Sequence, residues 1–245
     1  MKLLTLTFLG MLAMAPAPGH ITVFMIGDST MADRPHPEIN PYRGWGQLLP
    51  TFFDSTVTVR NFAVNGRSTK SFIDEGRWTT VLGQLHAGDY VIIQFGHNDE
   101  KREDSTRFTD PETSYRANLE RFVRETRAKG ATPILATSIV RRKFDSTGAL
   151  EDTHGAYPVV TREVAREMNV PLLDLQHGTA WLVQSYGPER SKELYAWIAP
   201  GTNTMYPKGL QDDTHLTLRG ATEVARLAAI ALRATGLPLA AHVHE

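Results

Sequence analysis

The sequence predicts one α/β domain built on a parallel sheet of five strands. Short apolar runs alternate along the chain with longer segments of helical periodicity, which is typical of a parallel sheet covered by helices on both faces. A length of 245 residues suits one such domain, and a hydrophobic fraction of 41% supplies a core. Five strands fit a doubly wound sheet of the flavodoxin type, although the sequence does not give the strand order.

The five predicted strands are short, apolar and rich in β-branched residues, as buried strands are. The first is followed by Gly27 and the third by Gly96. These strands span residues 21–26, 57–63, 90–95, 133–139 and 171–175.

Four segments between and after the strands repeat apolar residues at helical spacing. Gly130 and Gly236 follow two of them, where glycine commonly ends a helix. The predicted helices span residues 44–53, 115–129, 157–168 and 217–235. Two stretches lack such periodicity: 33–42 is a Pro-rich loop, and 141–155 contains a turn signal and is read as an excursion or hairpin.

The N-terminus resembles a secretion signal. Lys2 precedes an apolar run over residues 3–15, which ends in an Ala-x-Ala pattern and is followed by Pro16 and Pro18. The run is too short for a typical membrane span. We therefore predict a signal peptide over residues 1–17, a single domain over residues 18–245, and a secreted or periplasmic protein. A buried first strand or an incorrect start site is the alternative.

Composition excludes several function classes. The 26 basic and 27 acidic residues nearly balance and form no basic run, so no nucleic-acid or membrane partner is predicted. There is no cysteine, which excludes disulfides, thiolate catalysis and Cys-ligated zinc. No His-Glu-x-x-His or similar spacing is present, so no metal site is predicted. We expect a monomer.

Ligands of open parallel sheets bind beyond the carboxyl ends of the strands, so the residues after each strand are the candidates. Ser29 follows the first strand at a predicted helix start, where a hydroxyl would be exposed among free backbone N–H groups. Gly66 follows the second strand and Asn98 the third; both could donate to a developing oxyanion. Each has a plain structural alternative: a helix cap for Ser29, an Asn-Gly turn for Gly66, and a polar loop for Asn98.

His215 stands before the last predicted helix and has the chemistry of a general base. Asp212, three residues earlier, could fold back to orient its imidazole, but the spacing also allows Asp213. A capped helix start with a solvent-facing histidine is the alternative. Together, the residues after the strands and before the helix supply a nucleophile, a base, an orienting acid and two oxyanion donors.

Ser29, Gly66, Asn98 and His215 resemble the residues that name the SGNH (GDSL-like) hydrolases. The closing D-x-x-H block of that family selects Asp212 as the third triad member. The resemblance implies a flavodoxin-like three-layer α/β/α sandwich, a Ser-His-Asp mechanism without a cofactor, and the Ser29 N–H as a further oxyanion donor.

Several blocks of the sequence point to one branch of this family. They span residues 27–32, 65–68, 71–78, 96–99, 152–158 and 212–215. These blocks resemble the rhamnogalacturonan acetylesterase branch, which implies removal of acetyl groups from this pectic polysaccharide. Relatives with similar blocks act on acetylated xylan or small oligosaccharides, which is the alternative substrate class.

Four residues are candidate substrate contacts: Arg77, Trp78, His154 and Tyr206. Arginine can pair with a uronate carboxylate, and an aromatic face can stack on a sugar. Trp78 could equally be a core aromatic, and a loop histidine such as His154 is often simply solvated.

Three rival functions remain open at this point. A lipase or broad-specificity esterase would use the same triad with an apolar acyl pocket. A non-catalytic carbohydrate-binding protein would lack triad residues, and none is missing here. A flavin-binding or receiver-like switch domain would explain the loop after the first strand but not Asn98 or Asp212-x-x-His215.

Overall fold

The computed structural model describes residues 20–244, so the predicted leader lies outside the described residues. Five parallel strands form the main sheet in the order β2-β1-β3-β4-β5, the order of flavodoxin-like doubly wound folds. The predicted fold class is therefore confirmed. The strands are β1 (Ile21–Gly27), β2 (Val57–Asn61), β3 (Tyr90–Gln94), β4 (Thr132–Ala136) and β5 (Leu172–Leu173).

Helices cover both faces of this sheet because consecutive strand residues point to opposite sides. In β1, Val23 and Met25 belong to the core cluster that contains Trp45 and Val224, whereas Phe24 belongs to the cluster on the other face. The first face is covered by α1 (Trp45–Leu48), α6 (Leu175–Arg190) and α7 (Leu218–Ala234). The second face is covered by α2 (Thr69–Asp74), α3 (Arg77–Leu82), α4 (Arg116–Ala128) and α5 (Ala156–Glu167).

Some predicted elements differ from the structure. The predicted helix over 44–53 is one α-helical turn continued by a 3₁₀ turn, Leu49–Phe52, at whose start Pro50 lies. Because proline has no backbone N–H, it cannot continue an α-helical ladder. The sequence did not predict the short helices α2 and α3. Gly76, which has a φ of +71°, lies between them.

A second, antiparallel sheet of two strands was also missed. It consists of β6 (Tyr195–Ile198) and β7 (Leu210–Leu216). The expected excursion over residues 141–155 is closed by one antiparallel bridge between Phe144 and Leu150. Among residues 20–244, no helix is long and apolar enough to cross a membrane.

Candidate active site

Three loops meet at the carboxyl edge of the sheet because β2, β1 and β3 are neighbours there. Gly27 at the end of β1 pairs with Gln94 of β3, and its carbonyl accepts a hydrogen bond from the Val64 N–H at 3.0 Å. The loops that follow carry Ser29, Gly66 and Asn98. The topology therefore collects the three predicted residues at one edge, as expected for a doubly wound sheet.

Ser29 lies in a tight turn, not at the helix start that the sequence predicted. The Asp28 carboxylate accepts hydrogen bonds from the backbone N–H and the hydroxyl of Thr30, at 2.9 and 2.8 Å. Such local side-chain bonds compete with helix formation. Arg34 donates to the Ser29 carbonyl at 2.8 Å, which fixes the turn from the other side.

His215 links Ser29 to Asp212 through its two ring nitrogens. Nε2 lies 2.9 Å from the Ser29 Oγ, and Nδ1 lies 2.8 Å from Oδ2 of Asp212. A carboxylate only accepts hydrogen bonds, so it favours the tautomer protonated on Nδ1. In that tautomer Nε2 is the acceptor that faces the serine hydroxyl.

The D-x-x-H segment lies on β7, directly before α7, and it bulges from the ladder. Tyr195 pairs with Leu216, but Trp197 pairs with Gln211, so residues 212–215 lie outside regular pairing. Within the bulge, Oδ1 of Asp212 accepts the backbone N–H groups of Thr214 and His215 at 2.8 and 2.9 Å. These bonds bring the carboxylate back to the imidazole.

Asp213 serves a different purpose from Asp212. Its Oδ1 accepts hydrogen bonds from Arg142 at 2.6 Å and from the Trp197 indole at 2.7 Å. Asp212, not Asp213, is therefore the carboxylate bound to His215. Burial opposes ionisation of Asp212, but the hydrogen bonds from His215 and Thr214 hold its pKa well below the usual value.

Gly66 occupies the third position of a turn that the Arg67 N–H closes onto the Val64 carbonyl at 3.3 Å. Its φ of +75° is characteristic of a type II turn and suits glycine. Neither the Gly66 N–H nor the Ser29 N–H donates a hydrogen bond to any residue that the structure describes. Free N–H groups beside a nucleophile are the arrangement an oxyanion hole requires.

The Asn98 amide is held in place at both ends. Its Nδ2 donates to the Arg67 carbonyl at 3.2 Å, and its Oδ1 accepts from Arg107 at 3.4 Å. The amide nitrogen has two hydrogens, so one remains for a ligand. Asn98 thus adjoins the Gly66–Arg67 loop, and the guanidinium of Arg107 adds positive charge nearby.

Tyr42 contacts this site, although no sequence pattern pointed to it. Its hydroxyl donates to Oδ2 of Asp212 at 3.1 Å, and its ring meets the His215 ring edge-on at 5.4 Å. Tyr42 ends the Pro-rich stretch that the sequence predicted only as a loop. Burial is the main cause that raises the pKa of the Tyr42 hydroxyl well above its usual value, and the nearby Asp212 carboxylate adds to it. The hydroxyl therefore remains protonated and can donate.

The candidate substrate contacts divide into those near the site and those away from it. Tyr206 is half-buried and meets Tyr42 edge-on at 5.7 Å, so it borders the triad. Arg77 is bound to Glu75 at 2.5 Å and contacts no triad residue. The prediction for Trp78 was wrong: its side chain is 1% exposed, its ring packs on Phe122 at 5.0 Å and its indole N–H donates to Glu125.

The prediction for His154 was wrong for the same reason, since the residue is only 3% exposed. Its Nδ1 lies 2.9 Å from Glu100 and its Nε2 lies 2.9 Å from the Ile139 carbonyl. Its ring meets that of His97 edge-on at 4.5 Å. With both nitrogens engaged and the ring enclosed, His154 has no face for a sugar.

A buried polar layer that includes His97 supports the loops of the site. His97 Nδ1 lies 3.4 Å from the Asp28 carboxylate, next to the nucleophile turn. Burial lowers the pKa of His97 to about 4 despite that carboxylate, so the ring is neutral at pH 7. Burial opposes ionisation of Asp28, but His97 and the hydrogen bonds from Thr30 lower its pKa below the usual value.

Asp99 belongs to the same layer and joins the Asn98 loop to α2. Oδ1 of Asp99 accepts three hydrogen bonds: from the backbone N–H of Thr69, from the Thr69 hydroxyl and from the Thr109 hydroxyl. Burial raises the pKa of Asp99 to about 7 against these bonds. Over residues 20–244, no group of three or more His, Asp or Glu side chains is arranged to hold a metal ion.

Comparisons with known proteins agree with this geometry. The model of the GDSL-like Lipase/Acylhydrolase family matches residues 25–222. The chain is similar to rhamnogalacturonan acetylesterase RhgT of Bacillus subtilis (strain 168), with 44% identity over 91% of this chain and 94% of RhgT.

Solved structures show the same fold. Protein YxiM of Bacillus subtilis superposes with a TM-score of 0.74 at 30% identity, over 89% of this chain and 57% of that one. The acetylxylan esterase Axe2 of Geobacillus stearothermophilus has a TM-score of 0.60 at 20% identity, over 89% of this chain and 95% of that one.

Proposed function

Since this chain belongs to the GDSL-like lipase/acylhydrolase family of ester-cleaving enzymes, we propose that it removes acetyl groups from rhamnogalacturonan by a Ser-His-Asp mechanism. The observation that carries the chemistry is the relay from Ser29 Oγ through His215 to Asp212, with contacts of 2.9 and 2.8 Å. Similarity to RhgT over nearly the whole of both chains supports the substrate.

Acylation begins at Ser29. Its hydroxyl attacks the acetyl carbonyl while Nε2 of His215 takes the proton. The imidazolium that forms is stabilised by Asp212, whose low pKa keeps it ionised. Because Tyr42 donates to the same Oδ2 atom, the carboxylate keeps a fixed orientation through this charge change.

The oxyanion of the tetrahedral intermediate is stabilised by three donors in this proposal. They are the free N–H groups of Ser29 and Gly66 and the remaining hydrogen of the Asn98 amide. Each such donor lowers the barrier by on the order of 3 kcal/mol. The sugar hydroxyl leaves with the proton of His215, and water then hydrolyses the acetyl-Ser29 with His215 as base.

Lys2, the apolar run over residues 3–15 and the Ala-x-Ala pattern before Pro16 resemble a secretion signal. We therefore also propose export, as predicted from residues 1–17. Finding the mature protein in the medium or periplasm, with an N-terminus between residues 16 and 20, tests this point.

The decisive experiment compares acetate release from acetylated rhamnogalacturonan and acetylated xylan by the wild type and Ser29→Ala. Release by the wild type alone, mainly from the pectic polymer, is expected. Release mainly from xylan would retain the mechanism and overturn the substrate. Hydrolysis of p-nitrophenyl esters should fall steeply beyond acetate; equal rates on long chains would instead support a lipase.

A further inference from the structure

A cavity of about 550 Å³ opens beside Gly66. Its volume falls within the range of small-ligand sites, roughly 300–1,000 Å³. Apart from Gly66, every residue that lines it has a polar or charged side chain. Such a lining suits a hydrated sugar and does not suit an alkyl chain.

Basic side chains predominate in this cavity. Arg67, Lys70 and Arg107 line it together with two acidic residues, Asp74 and Glu75. Arg67 is already paired with Glu75 at 3.0 Å. Lys70 is half-buried and donates to the Ser105 carbonyl, and it has no carboxylate within salt-bridge range among residues 20–244. Its charge is therefore available to an anion.

Arg107 connects the cavity to the predicted oxyanion hole. Its Nε is bound to Asp104 and its Nη1 to the Asn98 amide, while Nη2 makes no hydrogen bond to any described residue. A Cβ placed on Gly66 would lie 4.0 Å from Arg107 Nη1. An anion held here would thus lie next to the ester that Ser29 attacks.

We propose that this cavity binds the carboxylate of a galacturonate residue of the substrate, with Lys70 as its principal cationic partner. The inference rests on the proposed function and specifies what separates that substrate from neutral xylan. Every galacturonate residue has a carboxylate that is ionised at neutral pH, and a xylose residue has none. Charge-assisted bonds from ammonium and guanidinium groups are the strongest that a carboxylate receives.

The test measures inhibition of p-nitrophenyl acetate hydrolysis by de-esterified tetragalacturonate, with xylotetraose as the neutral counterpart. Lys70→Met should raise the inhibition constant of tetragalacturonate about tenfold, because it removes the unpaired charge. Asp74→Asn should lower it about two- to threefold, since it removes a repelling carboxylate. Lys129→Met is the matched control, because Lys129 is exposed and precedes β4 at the opposite edge of the sheet.

Opposite effects of the two cavity variants cannot come from general damage to the fold. Equal inhibition constants in the wild type, Lys70→Met and Asp74→Asn would overturn the proposal, as would equal inhibition by xylotetraose. If the wild type releases no acetate from rhamnogalacturonan, the proposed function fails. In that case the inhibition constants still test whether the cavity binds a carboxylate, because they are measured on p-nitrophenyl acetate and do not require acetate release from rhamnogalacturonan.

Discussion

The hydroxyl oxygen of Tyr42 and Nδ1 of His215 share one partner, Oδ2 of Asp212, at distances of 3.1 and 2.8 Å. Tyr42 lies 170 residues before Asp212 in the chain. Tyr42 therefore positions Asp212, which in turn positions His215. The ring of Tyr42 also packs edge-on against the His215 imidazole.

Tyr42→Phe should lower kcat by roughly 3- to 30-fold with little change in KM. Hydrogen bonds to charged groups contribute about 1.5–3 kcal/mol, and only part of that is expected in the transition state. Steady-state kinetics on p-nitrophenyl acetate measure this. Tyr186→Phe, on α6, is the control. A rise in KM at constant kcat would instead make Tyr42 a substrate contact.

The adjacent aspartates provide a matched pair. Asp212→Asn should lower kcat by about 10⁴-fold, since an amide can impose the wrong tautomer on His215. Asp213→Asn should change kcat little and should lower the free energy of unfolding, because the Asp213 carboxylate accepts hydrogen bonds from Arg142 and Trp197. Kinetics and urea denaturation of both variants separate the two effects. Similar losses of kcat would contradict the distinct roles.

Asn98→Ala should lower kcat by roughly a hundred- to a thousand-fold, the cost of removing one oxyanion donor. The fold should persist, because Asn98 makes only two long side-chain hydrogen bonds, at 3.2 and 3.4 Å. Circular dichroism checks the fold and initial rates check kcat. Unchanged turnover in a folded variant would refute the role proposed for Asn98.

Trp78→Ala should reduce the free energy of unfolding by about 3–5 kcal/mol, as large-to-small changes of core aromatics do. The folded fraction should keep its KM for acetylated oligosaccharide, because the side chain is buried against Phe122. Chemical denaturation and KM together check this. A large rise in KM without loss of stability would instead show that Trp78 contacts the substrate.

His97 should make stability depend on pH. Its pKa is about 4 in the folded protein and about 6.5 when unperturbed, so the unfolded chain binds more protons between these values. The stabilisation is present above pH 6.5 and is lost as the pH falls towards 4.

The free energy of unfolding of the wild type relative to His97→Asn should accordingly decrease from pH 7 to pH 4. Urea denaturation at several pH values measures the difference, and the exposed His86 provides the control variant His86→Asn. The raised pKa of Asp99 has the opposite effect, because it favours the folded state at low pH. This effect is common to the wild type and His97→Asn, so it cancels when their free energies of unfolding are subtracted. A difference independent of pH would mean that the pKa of His97 is the same in the folded and the unfolded protein.

The sequence by itself determined the fold class and the residues that gather at the carboxyl edge of the sheet. Ser29, Gly66 and Asn98 follow three strands, and parallel strands deliver such residues to the same edge whatever their separation along the chain. The turn at Gly66 was also predictable from the sequence, because Gly66 adopts a positive φ that glycine favours.

Only the tertiary structure decided which side chains reach the site from elsewhere. Tyr42 belongs to an irregular loop, and its hydrogen bond to Asp212 depends on how that loop lies across β7. Trp78 and His154 have the residue types of sugar contacts but are enclosed by packing. Burial and contacts between distant segments depend on how the helices and the second sheet assemble, and no local periodicity encodes that assembly.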